Sequence, residues 1–193
     1  ALTKASGADN HEAVVGLGLL EDENAPVRVL GDSAYGTGAA RATLAELKHV
    51  AVIKPLPLRT PVPGGFTSDD FAIDFDARTA CCPAAHTVTI TPSGGAKFEK
   101  YCRSCPLAAR CTTAVRGRKL TISEHEPLMR AARAAARDPQ WQDEYRQHRP
   151  MVERSIAWLT RGNRKVRYRG TIKNDHWLHH RAAGLNLRRL LNL

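Results

Sequence analysis

The sequence predicts an α/β fold that is interrupted by a small cysteine-containing insertion. Three observations support this: a strand-loop-helix-strand pattern early in the chain, a middle part rich in proline and glycine that holds all five cysteines, and a helical remainder. A length of 193 residues, with 42% hydrophobic and 25% charged residues, is typical of a globular chain. We therefore expect a partial core over residues 1–55, an insertion over 56–123, and the helical remainder of the core over 124–193.

The first part is predicted to contain a βαβ unit. A helix over residues 10–20, with Asn10 as its N-cap, precedes a strand over 27–30, a helix over 38–49 and a strand over 50–53. In such units the functional side chains collect at the carboxyl ends of the strands, where Asp32 lies.

The later parts are predicted from shorter patterns. Alternating apolar residues indicate small strands at 71–75 and 87–90 in the insertion. Helices are expected over 126–137, 138–160 and 176–191. Pro150 lies inside the second of these, and we expect it to kink that helix or divide it in two.

The net charge of +10 is concentrated at one end of the chain. Residues 1–145 hold equal numbers of basic and acidic side chains, whereas residues 146–193 hold 12 basic and 2 acidic ones, Glu153 and Asp175. This asymmetry favours a polyanionic partner, with nucleic acid ahead of a membrane surface and a solvated basic tail as the alternative. No apolar run is long enough to span a membrane, and no secretory signal opens the chain.

The most basic stretch is the segment from Arg161 to Gly170. Five cations in nine residues, interleaved with Tyr168, suit contacts to phosphate groups together with one stacking or packing ring. Phosphate contacts carry no sequence information directly, so we expect this segment to bind the nucleic-acid backbone with little sequence preference.

Two carboxylates are candidates for divalent-metal chemistry. Asp32 follows a buried strand and suits a hard cation such as Mg²⁺, although it could equally cap the following turn. Glu153 stands among basic residues, four positions after Arg149, and could equally form a surface ion pair with it.

The cysteines form a second candidate site. Cys82, Cys102, Cys105 and Cys111 could supply four thiolates to a structural Zn²⁺, with His86 as an alternate ligand. Reduced structural cysteines and a redox role remain alternatives, and disulfides are not expected in a chain without a secretion signal.

The order and spacing of these features resemble the DDE transposases of bacterial insertion sequences, which have a ribonuclease-H-like catalytic domain. The resemblance covers nearly the whole chain. The matching stretches are Gly31 to Gly36 (GDSAYG), Cys82 to Cys111, Arg149 to Arg154 (RPMVER) and His179 to Leu190 (HHRAAGLNLRRL).

The resemblance implies DNA cleavage and strand transfer at the ends of a mobile element, with Mg²⁺ or Mn²⁺ held by two Asp and one Glu. Asp32 would be the second Asp, and Glu153 the Glu. Only nine residues precede the helix predicted to begin near residue 10, and they include no strand-like run. We therefore expect the first Asp to be missing and this chain alone to be catalytically incomplete; the alternative is a non-catalytic, zinc-stabilised DNA-binding module.

A related signature that occurs in some of these enzymes, Y-x2-R-x3-E-x6-K, is partly preserved. Arg149 and Glu153 keep their spacing, Tyr145 stands one residue too far away, and Thr160 takes the Lys position beside Arg161. The resemblance implies mobile-element ends and target DNA as partners, permits a homodimer, and implies a bacterial cytoplasmic location, nucleoid-associated on DNA. The predicted DNA- or phosphate-binding residues are Tyr145, Arg149, Arg161, Arg164, Lys165, Arg167 and Arg169.

Overall fold

The computed structural model describes residues 11–161 and 165–190, which form a mixed α/β structure. Its first part contains helix α1 (Glu12–Gly18), strand β1 (Arg28–Gly31), helix α2 (Gly38–Glu46) and strand β2 (Val50–Ile53). The two strands pair in parallel, with Gly31 opposite Ile53. The predicted βαβ unit is therefore confirmed.

Helix α2 packs against this two-stranded sheet through a small apolar core. Leu44 of α2 and Val52 and Ile53 of β2 are almost completely buried. Thr37 caps α2, since its hydroxyl accepts a hydrogen bond from the Ala40 N–H at 3.2 Å. The predicted cap Asn10 lies outside the described residues, and His11 occupies the N-cap position of α1.

The insertion contains five short strands around a core of its own. Strands β3 (Ala72–Asp74), β4 (Thr79–Cys81) and β5 (Thr87–Thr89) form an antiparallel sheet, and β6 (Gly95–Lys97) pairs with β7 (Lys119–Thr121). Helices α3 (Glu99–Cys102) and α4 (Ala108–Cys111) lie between β6 and β7. The core of the insertion consists of Phe71, Ala80, Ile90, Ala96, Phe98, Cys111, Leu120 and Ile122.

Three longer helices follow the insertion: α5 (Glu126–Ala135), α6 (Pro139–Thr160) and α7 (Thr171–Leu190). Of the two outcomes expected at Pro150, a kink or a division, the division does not occur, because α6 continues through Pro150 as one helix. The last helix begins five residues earlier than predicted. Among the described residues, no helix combines the length and apolar character needed to cross a membrane.

Helix α6 lies against the βαβ unit and also packs on α7. Arg28 of β1 donates hydrogen bonds to both carboxylate oxygens of Glu144 on α6. This ion pair ties the amino-terminal half of α6 to the strand that leads to Asp32.

The insertion is joined to α5 by a cluster of charged side chains. Arg133, whose side chain is 9% exposed, donates to the Asp69 carboxylate at 2.7–3.1 Å and to Glu126 at 2.5 Å. Burial alone lowers the pKa of Arg133, but the hydrogen bonds to Asp69 and Glu126 outweigh it and raise that pKa overall. Arg130 adds hydrogen bonds to the carbonyl groups of Ser68 and Phe71.

Candidate active site and nucleic-acid surface

Asp32 lies directly after β1, at the carboxyl end of the parallel pair, as predicted. It is the N-cap of a short 3₁₀ helix, Ser33–Tyr35, and its Oδ1 accepts the Ala34 N–H at 2.8 Å. Asp32 therefore also caps the following turn, which was the alternative interpretation of this residue. The cap uses one oxygen of a half-buried carboxylate, so the side chain keeps acceptor capacity for another group.

The loop that carries Asp32 is held in place by Arg41 of α2. This buried side chain donates to the carbonyl oxygens of Ile53 at 2.7 Å and Gly36 at 3.3 Å. Burial lowers the pKa of Arg41. Gly36 leaves little room at this point, since a Cβ there would lie 3.1 Å from the Lys54 carbonyl oxygen. Arg41 therefore connects the end of β2 to the end of the Asp32 loop.

A cavity of about 390 Å³ brings Asp32 together with one face of α6. Asp32, Tyr35 and Glu12 line it on one side, and Arg149 and Val152 line it from α6. Asp32 and Arg149, which are 117 positions apart in the chain, thus line the same cavity. The walls of this cavity are mainly apolar.

Glu12 is a carboxylate of this cavity that sequence reasoning missed. Burial raises the pKa of Tyr35 to about 12, with a hydrogen bond to Glu12 and the negative charges of Glu12 and Asp32 acting in the same direction. The Tyr35 hydroxyl is therefore a stable neutral donor at physiological pH. Glu12 stands in the first turn of α1, where an acidic residue is common for reasons of helix capping alone, so the sequence contained no signal for this contact.

Glu153 lies on α6 and forms an ion pair with Arg149. The Arg149 Nη2 donates to Glu153 Oε1 at 2.5 Å, and the two side chains are 23% and 58% exposed. Glu153 therefore forms the surface ion pair with Arg149 that was the alternative interpretation of this residue. Among the described residues, no group of three His, Cys, Asp or Glu side chains is arranged as a complete metal site.

The described part of the basic segment is organised by Asn174, which sequence reasoning did not identify. This buried amide donates to the carbonyl oxygens of Tyr168 at 2.6 Å and Gly170 at 2.7 Å, and its oxygen accepts the Tyr168 N–H at 2.9 Å. The segment around it presents exposed Lys165, Arg167 and Arg169 to solvent. Arg164 lies outside the described residues.

Two other predicted contact residues are engaged in packing. Tyr145 stacks on Trp141, with ring centroids 5.3 Å apart and 8° between the ring planes. The guanidinium of Arg161 lies 5.9 Å from the ring centroid of Trp158, and the carbonyl oxygen of Arg161 accepts a hydrogen bond from Arg181 of α7.

The predicted zinc ligands all line one small cavity in the insertion. Cys82, Cys102, Cys105 and Cys111 surround a space of about 20 Å³, and His86 also lines it. His86 stacks on Tyr101 with ring centroids 4.6 Å apart. All five cysteines are free thiols. Burial raises the pKa of Cys111, Arg118 acts against it, and Cys102, Cys82 and Cys105 add to the increase.

Comparison with known proteins adds one positive result to this geometry. No curated protein and no solved structure matches the chain with significance. Residues 81–191, more than half of the chain, match the family model of the transposase DDE domain. The matched range contains all five cysteines, the Arg149–Glu153 pair and the basic segment. The chain therefore belongs to the transposase DDE domain family, whose domains act in transposition-related DNA cleavage and generally use divalent metal ions.

Proposed function

We propose that this chain takes part in cutting and rejoining DNA at the ends of a bacterial insertion sequence. Asp32 and Glu153 are two of the metal-binding carboxylates in this proposal, and the chain alone is catalytically incomplete. The observation that supports this most directly is the shared cavity. Asp32, at the end of β1, and Arg149, one helical turn before Glu153 on α6, both line this cavity, whereas Glu153 is not among its lining residues.

The donor chemistry of the two residues suits Mg²⁺ or Mn²⁺, which prefer carboxylate oxygens. When bound, such ions activate the attacking oxygen and stabilise the leaving oxygen of an in-line displacement at phosphorus. Asp32 has acceptor capacity beyond its single capping hydrogen bond. Glu153 is more than half exposed and its known partner is a cation, so its carboxylate is within reach of solvent ions.

Arg149 has a second role in this proposal. Its guanidinium matches the geometry of phosphate oxygens, and it already lines the cavity. Without DNA it pairs with Glu153. We propose that a DNA phosphate replaces Glu153 as the partner of Arg149. The Glu153 carboxylate is then free to bind a metal ion.

The basic segment positions the DNA. Arg161, Lys165, Arg167 and Arg169 are exposed and contact phosphates near Glu153, together with Arg164. Tyr145 is the weakest member of the proposed set, since its ring is already stacked on Trp141.

The test compares carboxylate variants on a DNA duplex that carries the sequences flanking the coding region. Asp32→Asn and Glu153→Gln, in protein produced from the complete reading frame, are expected to lose cleavage by at least about 100-fold while DNA binding is kept, because metal interactions supply several kcal/mol of transition-state stabilisation. The matched control is Asp143→Asn, an exposed carboxylate of α6 that is also paired with an arginine. Mn²⁺ binding measured by electron paramagnetic resonance gives a readout that does not depend on activity.

A second candidate function is a non-catalytic DNA-binding module. It is favoured by the observation that Glu153 is paired with Arg149 and is not among the residues that line the cavity of Asp32. It predicts DNA binding without metal-dependent cleavage by any preparation. Retained cleavage by Glu153→Gln would refute the role of Glu153, and cleavage by the 193-residue chain alone would refute the expected incompleteness.

A further inference from the structure

We propose that Cys82, Cys102, Cys105 and Cys111 bind one Zn²⁺ that holds the insertion together. This site is separate from the proposed carboxylate site. It lies within the three-dimensional structure of the insertion, on elements that the carboxylate cavity does not use.

The four thiols come from four different local structures. Cys82 follows β4, Cys102 ends α3, Cys105 lies in the turn after it, and Cys111 ends α4. Their position around one cavity therefore depends on the fold of the whole insertion. Such convergence of distant residues is what a structural metal ion stabilises, and a small domain gains stability from such an ion in addition to its apolar core.

The cavity fits a single ion in size and in chemistry. Its volume of about 20 Å³ is close to the space taken by one or two water molecules. Its described lining contains thiols, the imidazole of His86, the phenol of Tyr101, the guanidinium of Arg118 and apolar side chains, and no carboxylate. A site of this composition favours a soft thiolate-binding ion over Mg²⁺ or Ca²⁺.

The backbone near Cys102 is shaped to support a thiolate. The Arg118 N–H donates to the Cys102 Sγ at 3.4 Å. Gly117, with φ of +87°, brings this N–H into place, and a Cβ at Gly117 would lie 2.8 Å from the Cys102 Cβ. Hydrogen bonds of this kind orient a metal-binding group and favour its charged form.

The neighbouring cysteine provides a natural control. Cys81 lies on β4 next to Cys82 and is half-buried, but it is not among the residues that line the cavity. Its thiol faces the Cys82 carbonyl oxygen at 3.7 Å. Cys81→Ser therefore removes a thiol one position away from a proposed ligand without removing a ligand.

Ligand binding is expected to be coupled to folding of the insertion. In their present arrangement the described side chains do not form a complete set of metal ligands. Binding of Zn²⁺ must therefore draw the four thiols closer together. Metal removal should then loosen the insertion, which shows as faster amide hydrogen exchange over residues 81–121 than in the metal-loaded chain.

The experiment measures metal content and the spectrum of a Co²⁺-substituted chain. Protein purified after growth with added zinc is expected to hold about one Zn²⁺ per chain. The Co²⁺ form should show thiolate charge-transfer absorption and the intense visible bands of tetrahedral Co²⁺. Cys102→Ser and Cys105→Ser should weaken binding by at least about 100-fold, since loss of even outer-shell partners costs 10–100-fold. Cys81→Ser and His86→Ala should keep the metal.

Several results would overturn the proposal. Folded protein with less than about a tenth of an ion per chain would exclude the site, as would Cys81→Ser losing zinc to the same extent as Cys105→Ser. Loss of zinc in His86→Ala would overturn the four-thiolate set. Because a cysteine variant could fail to fold, the unmodified chain is also stripped with a chelator and titrated with Co²⁺. Absence of the tetrahedral spectrum there would refute the proposal without any variant.

Discussion

Replacement of Arg133 by alanine should destabilise the fold strongly, because this side chain links the insertion to α5. Its guanidinium is 9% exposed and binds two carboxylates, Asp69 and Glu126, which are 20% and 15% exposed. Removal of one partner from a buried ion pair costs about 3–5 kcal/mol. Arg130 remains 3.4 Å from Glu126 and 4.0 Å from Asp69, so part of the lost charge is compensated. We therefore expect a loss of about 2–3 kcal/mol in the free energy of unfolding.

This loss is measured by equilibrium denaturant unfolding and by thermal unfolding, where it should lower Tm by about 5–10 °C for a chain of this size. The control is Arg137→Ala, which removes a 73% exposed cation 3.7 Å from the same Asp69 and should cost less than about 0.5 kcal/mol. The double variant Arg133→Ala, Asp69→Ala should be less destabilised than the sum of its parts. A loss below about 1 kcal/mol for Arg133→Ala, or equal losses for the two arginines, would refute the reasoning.

Two further predictions concern the hydrogen bonds of short segments. Hydrogen bonds from the hydroxyl and N–H of Thr67 hold the pKa of Asp70 below its ordinary value. A carboxylate whose pKa is lower in the folded than in the unfolded state stabilises the fold above its unfolded pKa, and this stabilisation is lost as the pH falls through the folded pKa. The chain should therefore have a higher Tm than Asp70→Ala at neutral pH, and this difference in Tm should decrease below about pH 4. Asn174→Ala should weaken DNA binding by about 3- to 10-fold with little change in salt dependence, because the phosphate-binding cations remain. Arg167→Ala should instead reduce the salt slope by about one, and equal slopes in the two variants would contradict this distinction.

The sequence predicted those features that depend on local pattern. The βαβ unit was found because β1, α2 and β2 each carry a clear apolar pattern, and the position of Asp32 follows from its place after β1. Strands β4, β6 and β7 were missed, since their sequences TAC, GAK and KLT lack the extended apolar alternation that marks residues 71–75 and 87–90. The continuity of α6 through Pro150 has a related cause. Helix α6 is supported by contacts with β1, β2 and α7, which a propensity argument does not include.

Contacts between distant segments explain why the candidate cavity could only be partly predicted. Glu12 forms a hydrogen bond with Tyr35 and lines the cavity together with Asp32 because α1 packs against α2. No residue spacing in the sequence predicts that packing. Asn174 acts on a loop through its amide, although its place on α7 gives no sign of this.

The family match and the structure contribute different halves of the proposed active site. The match covers residues 81–191, which include Arg149 and Glu153 but begin well after Asp32. The assignment of Asp32 therefore depends on the docking of α6 against β1, to which the Arg28–Glu144 ion pair contributes. Since Glu144 precedes Arg149 by five residues on one continuous helix, this contact also sets where Arg149 meets the cavity. The link between β1 and α6 is thus the structural reason for treating Asp32 and Glu153 as parts of one site.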